Sequence, residues 1–356
     1  GSEMCIRDRN GVKQVSSFQA LMISTASRVG TGNIAGIAAA IATGGPGAVF
    51  WMWLMAVIGG ASAFIESTLA QVYKVKDGDS FRGGPAYYIQ RGLGKRWLGC
   101  LFSVLLIACF AYGFNGLQTY NIATAIKYYI PDFDGSLWPM VIGIMLAVLT
   151  GLVIFGGVHR IGFISSVIVP VMAGGYILIG LIMIVTHLPA VPGVFQAIFS
   201  QAFDAQAIAG GFAGSAVVTG IKKGLFSNEA GMGSAPNAAA SAAVSHPAKQ
   251  GLIQTLSVFL DTLVICSTTA MILMVSGVPV SQDITYVQDA VSSTFGSAGI
   301  LFITIAIFFF AFSSLIGNYY YTESNLRFIR DDKRVLFIFR LTCLAAIFLG
   351  AQASFD

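Results

Sequence analysis

Charge is what this chain lacks. Only 10% of its 356 residues are Asp, Glu, Lys or Arg, against 56% hydrophobic, and its mean hydropathy is +0.77. Soluble domains carry about 25% charged residues, so this composition belongs in a bilayer. Histidine is nearly as scarce: His159, His187 and His246 stand apart at the ends of apolar runs and form no ligand cluster. The five cysteines (Cys5, Cys100, Cys109, Cys266 and Cys343) show no paired spacing. All but Cys5 lie in apolar runs, where Cys behaves as a small hydrophobe. Neither a disulfide framework nor a metal site is implied. The net charge of +4 is spread over loops and gives no reason to expect nucleic-acid binding.

Residues 1–9 carry four charges and no apolar run. They fit neither a signal peptide nor a span, and they read as a non-native-looking leader. Residues 10–356 read as one transmembrane domain. Both ends look truncated, since the chain stops at Ala351–Asp356 just after an apolar run.

What is present is a series of long apolar stretches. A hydrocarbon core needs about 20 mostly apolar residues per helix, which predicts about nine spans in an all-α polytopic membrane protein. They run over Ser17–Thr43 (interrupted), Gly47–Tyr73, Trp97–Ile126, Leu137–Gly157, Ile161–Thr186, Ala207–Leu225, Gly251–Met274, Ala298–Tyr321 and Val335–Gly350. Positive charge sorts by loop, as expected of cytoplasmic connections. Lys74, Lys76, Arg82, Arg91, Lys95 and Arg96 follow the second stretch and Arg160 the fourth. Lys222, Lys223 and Lys249 flank the next connection, and Arg327, Arg330, Lys333 and Arg334 the last, whereas the alternate loops hold only Lys127. The first stretch therefore starts in the cytoplasm. On the outer side, Pro192–Phe203 and Ser281–Phe295 have helical apolar spacing and predict short interfacial helices.

Gly30-Thr31-Gly32-Asn33 interrupts the first stretch. Each glycine costs a helix interior about 1 kcal/mol relative to Ala, and the Asn side chain needs partners away from water. Helix breaks at membrane depth are tolerated where freed backbone lines a cavity or ligand site. Gly32-x-x-x-Gly36 also fits a close-packing face, so this feature alone leaves binding and packing open. A second glycine-rich segment, Gly210–Ser215, lies five stretches later. Five is odd, so a five-helix repeat would be inverted in the membrane, with two broken helices facing each other. Paired breaks of this kind mark the binding site of secondary transporters.

Polar residues inside the stretches need explanation, because a charge at mid-bilayer costs about 3 kcal/mol. Glu66 and Glu323 sit near span ends, within reach of the interface or of a structural partner. Asp261 is deeper, with a structural anchor and a coupling role both open. Asn115, Gln118 and Thr119 share one face of the third stretch, either gluing helices together or facing a wet cavity. The adjacent hydroxyls of Ser313 and Ser314 could ligate a small hard cation, which prefers oxygen, or bond to backbone.

Four segments carry a family resemblance: Arg28–Gly36 (RVGTGNIAG), Gly44–Trp53 (GGPGAVFWMW), Arg82–Tyr88 (RGGPAYY) and Leu225–Pro236 (LFSNEAGMGSAP). They resemble the signature segments of the alanine/glycine:cation symporters, the sodium:alanine symporter family. The resemblance implies uptake of a small neutral amino acid, alanine or glycine, with Na⁺ or H⁺ across the bacterial inner membrane. It implies a LeuT-type inverted five-helix repeat with broken first and sixth core helices, one helix missing before Asn10 and another after Asp356. It further implies that Gly30, Thr31 and Gly32 offer amides to the substrate carboxylate, with Asn33, Gln118 and Ser314 at the substrate and Phe212 closing over it. The carbonyls of Ala26, Val29 and Phe310 and the hydroxyls of Ser313 and Ser314 would surround Na⁺. Gly317-Asn318 replaces a Gly-Trp of some members, so Asn318 alters the pocket, and a different neutral amino acid such as glutamine or serine is the alternative substrate. Leu225–Pro236 reads as an inner-gate or packing segment, with Glu229 facing Lys222, Lys223 or Arg28.

A cation channel would need a continuous hydrophilic pore or ring of filter residues. A membrane-embedded enzyme would need a nucleophile–base or metal constellation. Neither pattern is present in the sequence.

Overall fold

The computed structural model describes residues 15–77, 80–130, 132–203, 215–282 and 284–353. Helix α1 (Ser17–Arg28) opens on a capping box in which Ser16 and Gln19 exchange side-chain-to-backbone bonds, satisfying amides that a helix start leaves free. After the interruption come α2 (Ala35–Gly44) and α3 (Gly47–Val72). A two-stranded antiparallel hairpin follows, β1 (Val75–Asp77) with β2 (Ser80–Arg82), registered Val75 to Arg82. Helices α4 (Pro85–Leu93), α5 (Arg96–Ile107) and α6 (Asn115–Lys127) come next, with a π turn at Ala108–Phe114 joining the last two. Then run α7 (Trp138–Ile154), α8 (Gly157–Thr186), α9 (Val191–Ala202), α10 (Ala216–Asn228) and α11 (Ala235–Ser241). A second π turn, Leu260–Cys266, links α12 (Pro247–Phe259) to α13 (Ser267–Ser276). The described chain closes with α14 (Thr285–Phe295), α15 (Ser297–Ile329) and α16 (Lys333–Gly350).

Among the described residues, five continuous helical stretches are long and apolar enough to cross a membrane: Gly47–Val72, Arg96–Lys127, Gly157–Thr186, Pro247–Ser276 and Ser297–Ile329. Nine were expected, and the shortfall has local causes. The first stretch splits into helices of 12 and 10 residues, and α7 has only 17. Helix α16 carries Lys333, Arg334 and Arg340 within its 18 residues. The expected sixth span begins at residues outside those described, leaving α10 with 13. The two predicted outer segments are helices, α9 and α14. Ile284, Val287, Ala290 and Val291 are all buried, and Gln288 Nε2 donates to the carbonyl of Ala125 at 3.1 Å.

The bundle is dressed for lipid. Large apolar side chains such as Val57, Ile65, Leu105, Val171, Val185 and Leu252 are more than half exposed on its outside. Polar groups are turned inward, against the order of a water-soluble fold. Helix α15 runs through the interior, every residue from Phe310 to Thr322 being buried. It comes close against α1 at Gly317, where a Cβ would fall 2.8 Å from the Ser27 nitrogen. Small residues allow such backbone approach between membrane helices. Gly317→Ala is expected to push α1 off α15, lowering the melting temperature of the detergent-solubilised protein by several degrees, about 1–3 kcal/mol of overpacking. An unchanged melting temperature would refute that contact.

Candidate functional site

The helical ladder of α1 stops at the glycines. Val29, the C-cap, gives its N–H to the Thr25 carbonyl at 2.8 Å. Gly30 is extended (φ −117°, ψ −163°), and its N–H bonds Asn33 Oδ1 at 3.1 Å. A single 3₁₀ turn over Thr31–Asn33 follows before α2 begins at Ala35. The packing reading fails at Gly36, where an added Cβ would meet nothing within 4 Å.

Thr31 and Asn33 at the break find buried partners on other helices. The Thr31 N–H and hydroxyl both donate to Gln118 Oε1, at 3.0 and 2.8 Å, and Asn121 Nδ2 donates to Thr31 Oγ1 at 2.6 Å. Asn33 Nδ2 donates to Asp261 Oδ1 at 2.5 Å, and the Asn33 carbonyl accepts from Thr269 at 2.7 Å. The other oxygen of Asp261 accepts from Ser227 at 2.7 Å and Thr262 at 3.1 Å. Asp261 is fully buried and thus holds the break, α10 and its own π turn together. Both roles left open for it in the sequence remain compatible with this anchoring.

Oxygens gather on the other side of Gly30. Ser314 Oγ lies 3.0 Å from the Ala26 carbonyl, 3.1 Å from that of Ser27 and 3.0 Å from that of Phe310. Ser313 Oγ lies 2.9 Å from the Phe310 carbonyl and 3.4 Å from that of Ala26. A hydroxyl has one hydrogen. Two hydrogens therefore face three carbonyls and two hydroxyl oxygens, leaving a surplus of buried lone pairs. Such a charge-free gathering of oxygens, with Met172 Sδ 3.6 Å from Ser313 Oγ at its edge, is suited to a small hard cation. The cluster adjoins the break directly: a Cβ on Gly30 would sit 2.5 Å from Ser314 Oγ and 2.8 Å from Gln118 Nε2.

Ala26, Gly30, Thr31, Asn33, Gln118, Phe310, Ser313 and Ser314 are thus brought together by α1, α6 and α15. Gly32 faces Phe226, whose ring would lie 3.1 Å from an added Cβ. The Val29 carbonyl is not among the acceptors of either serine. Asn318 departs from the predicted group, accepting from Ser27 Oγ at 2.6 Å and donating to Asn115 Oδ1 at 2.9 Å. Phe212, with most of the second glycine-rich segment, lies outside the described residues.

Three features of this interior were missed or misread in the sequence. Phe226 stacks on Phe114 at 4.9 Å between centroids, and Phe114 on Phe110 at 4.6 Å, walling the break at Gly32. Of the two alternatives for Glu66, the structural partner is the one present, though its identity was not foreseen: it is buried and accepts the amides of Gly231 and Gly233 at 3.3 and 3.2 Å. Both glycines have φ near +80°, which turns successive amides toward one anion. Glu229 takes its bonds from Ser27 and Ser234, at 3.0 and 2.5 Å, rather than pairing with Lys222, Lys223 or Arg28. Arg28 is buried too and donates to Gln254 Oε1 at 3.1 Å. Only the glycine-dense spelling of Gly231-Met232-Gly233 signalled any of this in advance.

A helical bundle with an apolar exterior and one interrupted helix, its loose backbone meeting a buried oxygen cluster, defines a secondary membrane transporter. The fold is shared with a solved one: a structure of MhsT in complex with L-phenylalanine superposes with a TM-score of 0.67 at 15% identity, over 95% of this chain and 79% of that one. The fold is therefore LeuT-type and all-helical. A family model described as the sodium:alanine symporter family matches residues 2–356. Among curated relatives, the amino-acid carrier protein AlsT of Bacillus subtilis is 53% identical over 97% of this chain and 74% of its own length. The probable sodium/glutamine symporter GlnT of the same organism is 48% identical over 95% and 70%. The chain belongs to the sodium:alanine symporter family. It is a multi-pass membrane symporter and not an enzyme.

Proposed function

We propose that this protein imports alanine or glycine together with Na⁺ across the bacterial inner membrane. Na⁺ sits among the Ala26 and Phe310 carbonyls and the Ser313 and Ser314 hydroxyls, with Val29 contributing its carbonyl once the break adjusts. The substrate carboxylate takes the amides of Gly30, Thr31 and Gly32, displacing the Gln118 oxygen that now holds Thr31. Asn33 and Gln118 line the pocket, Phe212 closes it, and Asn318 sets its far polarity. Residues 10–356 form one transport domain, an inverted repeat in which α10 is the inner half of the second broken helix. The surplus of oxygens beside Gly30 carries this reading. Neutral oxygens alone, with no carboxylate among them, favour Na⁺ over H⁺ as the coupling ion.

Because ion and substrate share the Gly30 wall, each should raise the other's affinity reciprocally. Ser314→Ala is expected to raise the Na⁺ concentration for half-maximal alanine uptake in proteoliposomes at least about tenfold, about 1.4 kcal/mol of lost ion binding. Wild-type Na⁺ dependence in that variant would remove the ion from this site.

Glutamine is a second candidate substrate, favoured by the 48% identity to GlnT and by the amide of Asn318. A competition panel of alanine, glycine, serine and glutamine against labelled alanine separates the two.

A further inference from the structure

A cavity unrelated to the transport site opens on the face bearing the cationic loops. It has a volume of about 330 Å³ and lies between the β-hairpin, α4, the start of α5 and the end of α15. Its described lining holds five cations, Lys76, Arg82, Arg91, Arg96 and Arg327, and two acids, Asp77 and Asp331. Both acids are already engaged. Arg82 pairs with Asp77 and, at 3.3 Å, with Asp331, while Arg327 takes Glu323 at 2.7 Å. Lys76, Arg91 and Arg96 have no carboxylate within 4 Å among the described residues.

Two of these three cations have neutral partners. Arg91 reaches the Tyr73 and Lys74 carbonyls at 3.5 Å. Arg96 donates to Gln90 Oε1 at 3.3 Å and to the Phe328 carbonyl at 3.2 Å, with its guanidinium 5.2 Å from the Phe328 ring. Deeper in, Arg327 Nε is buried with no hydrogen-bond partner. Two guanidinium groups without carboxylate partners, lining one cavity with a residue whose buried N–H is orphaned, suit a phosphate-type anion.

Position identifies the source of that anion. Trp97, next to Arg96, is 64% exposed, and Leu101, Val104 and Leu105 follow it on α5 at 49%, 54% and 60%. An exposed tryptophan above a stripe of exposed aliphatics marks the membrane interface. The cavity therefore opens at the level of lipid head groups. We propose that it binds the phosphate of an anionic phospholipid, clamping α4 and α5 to the end of α15. That helix also carries Ser313 and Ser314, so the lipid braces the transport helix from outside the transport site. The assignment does not depend on which amino acid is carried.

The test is native mass spectrometry and thermal melting of protein in nanodiscs of phosphatidylcholine with or without phosphatidylglycerol. Wild type should retain phosphatidylglycerol over phosphatidylcholine and melt higher in its presence. Each basic residue at such a surface is worth about a fivefold change in affinity, so R91Q/R96Q should lose the preference by tenfold or more. R91K/R96K should keep most of it, separating lost charge from lost fold. Equal retention of the two lipids by wild type, or an undiminished preference in R91Q/R96Q, overturns the proposal. So does stabilisation by millimolar inorganic phosphate matching that by the lipid, which would make the cavity a soluble-phosphate site.

Discussion

Gly30→Ala is expected to abolish amino-acid uptake while leaving a folded protein in the membrane. The backbone there is extended, which alanine tolerates, so the obstacle is purely one of space. The new methyl would lie 2.5 Å from Ser314 Oγ and 2.8 Å from Gln118 Nε2, and both side chains must retreat. Retreat of Ser314 opens the oxygen cluster, and retreat of Gln118 releases the Thr31 amide and hydroxyl. One carbon atom thus disturbs the proposed ion site and the proposed carboxylate site together. Misplacement of positioned groups by about 1 Å costs on the order of 100-fold in rate, and a loss of that size in initial uptake is the expected result. Uptake within threefold of wild type, at equal protein in the proteoliposomes, would refute the arrangement.

The second large effect concerns Asp261, and the two obvious substitutions should part ways. Asp261→Ala leaves Asn33 Nδ2, Ser227 Oγ and Thr262 Oγ1 without their acceptor. Each orphaned buried donor costs about 1–3 kcal/mol. Poor expression or a melting temperature lowered by ten degrees or so is expected. Asp261→Asn keeps the volume and one acceptor but turns an NH₂ toward donors. It should fold yet fail in transport, since Asn33 can no longer be held where it caps Gly30. Equal stability of the alanine variant and wild type in thermal melting would show that Asp261 anchors nothing.

What the sequence discloses here is whatever is encoded over a few neighbouring residues. The broken first helix was legible because glycine, Thr and Asn oppose a helix locally. The adjacent serines were legible because two hydroxyls in an apolar run need acceptors, and the outer helices α9 and α14 because their apolar spacing is helical. The number of spanning helices was not legible, because apolar composition does not register where backbone winding stops. Long-range partnerships were equally hidden. Asn33 and Asp261 lie 228 positions apart, Glu66 and Gly233 167 apart. A lone buried carboxylate announces that it has a partner without saying which. Which groups Asn318 would bond was hidden too: its amide takes Ser27 and Asn115.

The π turn at Leu260–Cys266 bears on chain length as well as on chemistry. Such a turn accommodates one residue more than regular α winding, and each residue advances a helix by about 100°. Excising a single residue there would restore uniform winding and leave the residues beyond Cys266 on their present face, because the turn already absorbs the extra residue. Thr269 would still meet the Asn33 carbonyl it now holds at 2.7 Å. The same one-codon deletion in unbroken α winding would swing everything beyond it by that angle, so this turn is where the pocket wall tolerates a change of length.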